Sequence, residues 1–167
     1  DVLALSNYSW NSNLSESICE FAKEIKPDII TVQGGTNFPH RKREQLIFLL
    51  NRPNTDIHVE LESEFSFSNL FALIFGTPIE QIFNYPIDGC VFVKPDTYQN
   101  SKPELITGFQ PDRIRDLDSI PSPYLNGMLD SFFDGKLTPF LETNRGCPFK
   151  CSFCHTGNDF FQKTNLF

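Results

Sequence analysis

Three cysteines fall within eight residues near the end of the chain: Cys147, Cys151 and Cys154, in the run Asn144-Arg145-Gly146-Cys147-Pro148-Phe149-Lys150-Cys151-Ser152-Phe153-Cys154. The spacing is Cys-x3-Cys-x2-Cys. Thiolates are soft ligands that suit iron–sulfur clusters and zinc. A [4Fe–4S] cluster usually takes four cysteines, so three leave one iron open to a small molecule. Gly146 and Pro148 would turn the chain sharply around the first ligand. Phe149 and Phe153 are placed to keep water from a cluster, which tunes its potential. Zinc is the competing metal, because His155 follows Cys154 and would complete a Cys3His set. Against zinc, its modules usually pair a Cys-x2-Cys with a second, distant pair, and none occurs here. The plain alternative is three free thiols in a packed loop, with His155 a solvent-facing loop residue.

These cysteines need a scaffold, and the chain before them alternates strand-like and helix-like runs. Val2 to Leu5 is a short apolar run that predicts a buried strand, followed by the polar and aromatic loop Ser6-Asn7-Tyr8-Ser9-Trp10-Asn11. Leu14, Ile18, Phe21, Ala22 and Ile25 recur at helical spacing, with Asn13 or Ser15 as the cap and Lys26-Pro27 as the stop. Ile29 to Val32 predicts a second buried strand that stops at Gly34-Gly35. Arg41 to Leu50 predicts a helix with Leu46, Ile47, Leu49 and Leu50 on its apolar face. After the turn at 51–54, Ile57 to Leu61 alternates as a third strand, and Phe67 to Phe75 is helical up to Gly76. Strand, helix, strand, helix, strand, helix implies a parallel sheet with helices on its faces, an α/β fold. Asp88 to Val93 predicts an antiparallel or edge strand. Pro95, Pro103, Pro111, Pro121 and Pro123 then punctuate a loop-rich stretch, of which 97–123 is expected as a surface linker. Tyr124 to Phe133 predicts a helix ending at Gly135, and Thr138 to Thr143 a strand leading into the cysteine loop.

The motif Cys147-x3-Cys151-x2-Cys154, with Phe153 before the third cysteine and Asn144-Arg145-Gly146 ahead of the first, resembles the signature of radical S-adenosylmethionine (radical SAM) enzymes. That resemblance implies a [4Fe–4S] cluster on Cys147, Cys151 and Cys154. It implies S-adenosylmethionine on the open iron, with Phe153 against the adenine. It also implies a 5′-deoxyadenosyl radical that abstracts hydrogen from an unactivated carbon in a dry, closed site. The first ~80 residues resemble the cobalamin-binding domain that precedes the barrel in one radical SAM subgroup. The matching stretches are Ser6 to Asn11, Lys26-Pro27-Asp28 and Gly34-Gly35; further on, Asp116 to Tyr124 resembles the segment that joins the two domains. By this resemblance Ser6, Gly34 and Gly35 line the slot for the cofactor's nucleotide tail, where open α/β sheets bind ligands. Taken alone, Gly34-Gly35 is equally a tight turn and Ser6 a turn residue. The chain departs from that family at 60–64, where Glu60-Leu61-Glu62-Ser63-Glu64 replaces a Gly-Glu-Gly-Glu segment. It also lacks an Asp-x-His-x-x-Gly motif, which would lie upstream of Asp1.

The expected organisation is a Rossmann-like, cobalamin-binding-type sheet over 1–96, a linker over 97–136, and the start of a partial (β/α) radical SAM barrel over 137–167. The expectation is thus a middle piece of a longer enzyme. Its reaction would be cobalamin-dependent methyl transfer or another C–H functionalisation of a small molecule or lipid precursor, fed by an electron donor such as flavodoxin or ferredoxin. Two rivals stay open. One is a non-catalytic zinc-binding or interaction module; the other is a radical SAM relative whose front domain binds no cofactor. The chain has 167 residues, 40% hydrophobic with 18 Phe, enough for a real core. A net charge of −7 argues against a nucleic-acid surface, and Arg41-Lys42-Arg43 reads as a solvated helix start. No run approaches the roughly 18 apolar residues of a membrane span. Five cysteines, odd in number and partly clustered, argue against a disulfide scaffold and for a reducing compartment, the cytoplasm. Cys19 and Cys90 read as buried thiols without chemistry.

Overall fold

In the computed structural model, which describes residues 1–142, 144–149, 151–154 and 165–166, the β-branched runs form the centre of a five-stranded sheet. β1 (Val2–Ser6) and β2 (Ile30–Gly34) pair in parallel, Val2 opposite Ile30 and Ser6 opposite Gly34. A parallel pair needs a crossover, supplied by α1 (Ser12–Ile25). α2 (Lys42–Leu50) leads to β3 (Ile57–Val59), again parallel, with Gln33 opposite His58. α3 (Glu64–Gly76) and the short α4 (Ile79–Ile82) follow. β4 (Cys90–Val93) and β5 (Leu105–Thr107) then add antiparallel, giving the order β1-β2-β3-β4-β5. This is an α/β, Rossmann-like fold, as the alternation of elements predicted.

Both faces of the sheet are covered over its middle strands. On one face Ile30, Val32, Ile57, Val59 and Phe92 pack with Leu70 of α3 and Ile82 of α4. On the other, Val91 and Val93 pack with Phe38 and with Leu49 of α2. β3 is therefore buried at all three positions rather than on alternate ones. β4 is an interior strand, not an edge, because β5 pairs beyond it. Residues 105–107, expected within the linker, supply that outer strand. Two glycines permit close packing at the ends of β4 and β5: a Cβ on Gly89 would sit 2.0 Å from Ser66 Oγ of α3, and one on Gly108 1.8 Å from the Ile87 carbonyl oxygen ahead of β4.

α1 meets the sheet with its polar side. Ser12, Ser15 and Cys19 are the buried positions, whereas Leu14, Ile18, Phe21 and Ile25 are 38–69% exposed. Polar clasps hold this side down: Ser15 Oγ donates to the Ser6 carbonyl (2.8 Å), Arg52 to Ser12 Oγ (3.2 Å) and Thr55 Oγ1 to Glu16 (3.0 Å). Lys23 Nζ donates to Asp56 (2.5 Å) and to the Ile29 carbonyl (2.7 Å). The helix begins one turn's corner earlier than expected, with Asn11 rather than Asn13 or Ser15 at the cap position and no side-chain cap bond.

The chain divides into two compact units, Asp1–Pro111 and Asp112–Phe167. In the second unit, the helix expected over 124–133 is replaced by turns and one short 3-10 segment, Asp130–Phe132. The prolines and glycines around it, with Gly127 and Gly135 at φ 78° and 75°, favour turns over a continuous helix. The strand expected over 138–143 does not form at 138–142. The described strand is β6 (Asn144–Arg145), antiparallel to β7 (Asn165–Leu166).

Candidate functional site

Ser6, Gly34 and Gly35 come together at the carboxyl end of the parallel β1–β2 pair, Ser6 directly opposite Gly34. Alternation along the strands places Ala4, Ser6 and Gly34 on one face. Ala4 and Ser6 are exposed there and Gly34 is half-buried, so this corner of the sheet is bare. The two glycines differ in what they do. Gly35 has φ 133°, and a Cβ on it would stand 2.5 Å from the Asn7 carbonyl oxygen; the fold itself requires glycine. A Cβ on Gly34 would meet only Val59, at an ordinary 3.5 Å. The chain's own packing thus leaves room for a side chain at 34, and its absence keeps the backbone open to an approaching group.

Two asparagines set the loops around this end. Asn7 is fully buried. Its N–H donates to the Gly34 carbonyl (2.6 Å), its Nδ2 donates to the Asn37 carbonyl (3.0 Å), and its Oδ1 accepts from Asn37 Nδ2 (3.2 Å). This latch joins the loop after β1 to the loop after β2. Ser6 Oγ accepts from Asn11 Nδ2 (2.7 Å), while Asn11 Oδ1 accepts the Tyr8 N–H (2.7 Å). The resulting turn stacks Tyr8 on Trp10, with ring centroids 4.7 Å apart and planes 1° from parallel, and leaves Trp10 80% exposed. A flat aromatic surface therefore stands beside the bare corner.

Beneath the same end lie two polar residues with no access to water. His58, on β3, stacks on Phe38 at 3.7 Å and meets Phe48 edge-on. Neither ring nitrogen makes a hydrogen bond of full geometry, nor does Gln33 Oε1 on the neighbouring strand. Burial pushes the His58 pKa down to about 3; the Gly35 backbone pulls it upward and the Arg52 charge lowers it further. His58 is accordingly neutral, a structural imidazole. After β3, Glu60 accepts from Gln45 Nε2 (2.7 Å), and burial raises its pKa against the opposing pull of Gln45, His40 and Lys42. The next residue, Leu61, has φ 57°, the only positive φ at a non-glycine residue among the described residues. The left-handed turn is thus made in the glycine-free stretch 60–64 by a leucine. Asn7, Asn37, Gln33 and His58 were not singled out from the sequence. For Gln33 and His58 the signal available was a polar residue inside an apolar strand run; the loop asparagines Asn7 and Asn37 carried none.

The cysteine loop lies in the second unit. Gly146 has φ 95°, a sharp turn just ahead of Cys147, as its glycine predicted. Glu142 accepts from Arg145 Nε at 2.9 Å beside it. Cys147 is half-buried, Cys151 and Cys154 are exposed, and the Cys154 N–H donates to the Cys151 carbonyl (3.1 Å). No group of three or more His, Cys, Asp or Glu side chains among the described residues converges as a metal cradle. The donor set fits a soft metal in kind, and its local spacing lets the loop close on one; the described loop is not closed. Phe149 and Phe153 are exposed, Phe153 by 92%. His155 lies outside the described residues. Cys19 and Cys90 are buried thiols, as expected, with pKa values raised by burial, that of Cys90 to about 12.

No protein-family model matches the chain. Its relatives are methyltransferases. It is 31% identical to 2-(S-pantetheinyl)-carbapenam-3-carboxylate methyltransferase of Streptantibioticus cattleyicolor, over all of this chain and 24% of the relative. It is 32% identical to the cobalamin-dependent radical SAM methyltransferase TokK of Streptomyces tokunonensis, over 95% of this chain and 22% of the relative. An uncharacterized methyltransferase of Pyrococcus horikoshii is 26% identical over 86% of this chain and 29% of its own length. The chain spans about a quarter of the length of these relatives. Among the described residues no helix is long and apolar enough to cross a membrane.

Proposed function

We propose that this chain is part of a radical SAM methyltransferase that uses cobalamin and methylates a carbon of a small molecule or lipid precursor. The carrying observation is that the similarity to the Streptantibioticus methyltransferase runs over the whole chain, from the parallel sheet to the cysteine loop. The bare carboxyl end of β1 and β2 supports it, because open α/β sheets bind their ligands there. In this reading the first unit is the cofactor-binding sheet, and the barrel that houses the substrate begins near residue 137.

Each residue then has a definite task. Ser6, Gly34 and Gly35 offer hydroxyl and exposed backbone to the nucleotide tail of cobalamin, and the Asn7–Asn37 latch fixes the two loops that flank it. Cys147, Cys151 and Cys154 supply three thiolates to a [4Fe–4S] cluster and leave one iron for S-adenosylmethionine, with Phe153 against its adenine. One-electron reduction of S-adenosylmethionine is the chemistry such a cluster supplies when bound. Electrons would come from a flavodoxin- or ferredoxin-type donor, in a reducing compartment such as the cytoplasm.

Anaerobic reconstitution of the full-length protein tests this reading. It should take up about four irons per chain with a visible-range chromophore that Cys151→Ala abolishes. It should also bind cobalamin and transfer a methyl group from S-adenosylmethionine. Stoichiometric zinc without iron uptake would sink the proposal in favour of a zinc-binding module, and iron loading without cobalamin binding would remove cobalamin from it.

A further inference from the structure

The segment leading to the cysteines, 138–142, pairs with no strand among the described residues. Its backbone is held instead by one side chain. The Tyr124 hydroxyl donates to the Phe140 carbonyl (3.0 Å) and accepts the Phe140 N–H (3.1 Å). A single phenol thereby satisfies both backbone groups of one residue, as a neighbouring strand would.

The phenol has contacts of its own. Its ring lies 5.8 Å from that of Phe133 and walls a cavity of about 250 Å³ with Leu129, Phe132, Leu137 and Pro139. Pro121 and Pro123 stiffen the chain just before it. The Asn126 N–H donates to the Ser122 carbonyl (3.2 Å) and the Leu129 N–H to that of Pro123 (3.3 Å), closing turns that span Tyr124. Beyond Phe140, the Glu142–Arg145 pair and the turn at Gly146 leave little slack before Cys147.

We infer that Tyr124 is a positioning residue for the cysteine loop: its hydroxyl sets the register of 138–142 and so the point from which Cys147, Cys151 and Cys154 reach a metal. The inference rests on the reading that these thiols hold an iron–sulfur cluster. Tyr124 touches none of them.

The test is Tyr124→Phe in the full-length protein, which removes one oxygen and keeps the ring against Phe133. Hydrogen exchange at the Phe140 amide should speed by about tenfold, the worth of one lost hydrogen bond, while amides of Val32 and Val91 in the sheet stay unchanged. After anaerobic reconstitution the variant should lose iron to a chelator several-fold faster than the wild-type protein. Normal wild-type loading with unchanged iron release in Tyr124→Phe overturns this role alone, and unchanged exchange at Phe140 overturns the clamp. A wild-type protein that takes up no iron overturns the cluster reading and this role with it. Tyr124→Leu, which also lacks the oxygen, should match Tyr124→Phe in iron release if the hydroxyl is what matters; near-normal release in Tyr124→Leu would overturn the proposal.

Discussion

Gly34 and Gly35 are adjacent, yet they fail differently when given a methyl group. Alanine at 35 must adopt φ near 133° and press its Cβ to 2.5 Å from the Asn7 carbonyl. Gly35→Ala is expected to cost about 2–4 kcal/mol, read from the urea midpoint, through strain and forced displacement of the Asn7 loop. Alanine at 34 meets only ordinary contacts, so Gly34→Ala should leave stability within about 0.5 kcal/mol while weakening cobalamin binding to the full-length protein. Unchanged cobalamin affinity in that variant would remove Gly34 from the proposed slot. Leu61 shows the opposite economy, a side chain in a glycine conformation. Leu61→Gly should relieve about 1 kcal/mol of backbone strain, seen as a raised thermal midpoint. Of these residues the glycines were legible in the sequence as a pair at a strand end. Which of the two the fold itself needs was not, because that depends on Asn7, 28 positions away.

At the scale of elements, α1 is the instructive case. Its spacing of Leu14, Ile18, Phe21 and Ile25 correctly announced a helix, but the side that meets this sheet is the polar one, Ser12, Ser15 and Cys19. The helix is seated by ionic and hydroxyl groups, and Asp56 is central among them. Asp56 Oδ2 accepts from Lys23 Nζ, from the Thr31 N–H (2.7 Å) and from Thr31 Oγ1 (3.0 Å), tying α1 to β2 and the lead-in to β3. Both Lys23 and Asp56 side chains are only 22% exposed, so the pair is more than a surface ion pair. Asp56→Ala is expected to destabilise by about 1.5–3 kcal/mol, since it strands a half-buried ammonium and a strand N–H. Hydrogen exchange should locate the loss in α1 and the start of β2; a loss spread evenly over the sheet would contradict this seating.

For the whole molecule, acid is the revealing stress. His58 ionises near 6.5 when unfolded but near 3 when folded, because the buried ring resists charge. Its folded pKa is depressed, so the unfolded state binds the extra proton. Stability is full above about pH 6.5 and falls, at up to about 1.4 kcal/mol per pH unit, as pH drops toward 3. Glu60 works in the other direction. Its folded pKa is raised, so its protonated form favours the fold, and its contribution declines as pH climbs above 4.5. Thermal midpoints between pH 7 and 4 should therefore fall, and His58→Phe, which keeps the stack on Phe38, should flatten that fall. An equally steep profile in His58→Phe would assign the acid sensitivity elsewhere.

The sequence by itself determined the alternation of strands and helices as far as β4, and the residue types of the cysteine cluster. β-branched runs separated by helical spacing dictate an α/β sheet, and Cys-x3-Cys-x2-Cys gathers three soft thiols in eight residues, since both are carried by neighbours along the chain. Tertiary structure decided the face on which α1 sits, the recruitment of 105–107 into the sheet beside β4, the Asn7–Asn37 latch and the Tyr124 hold on Phe140. Each of these depends on groups from different elements or loops meeting in space. Periodicity reports which side of an element is apolar, and only the assembled molecule shows what that side meets.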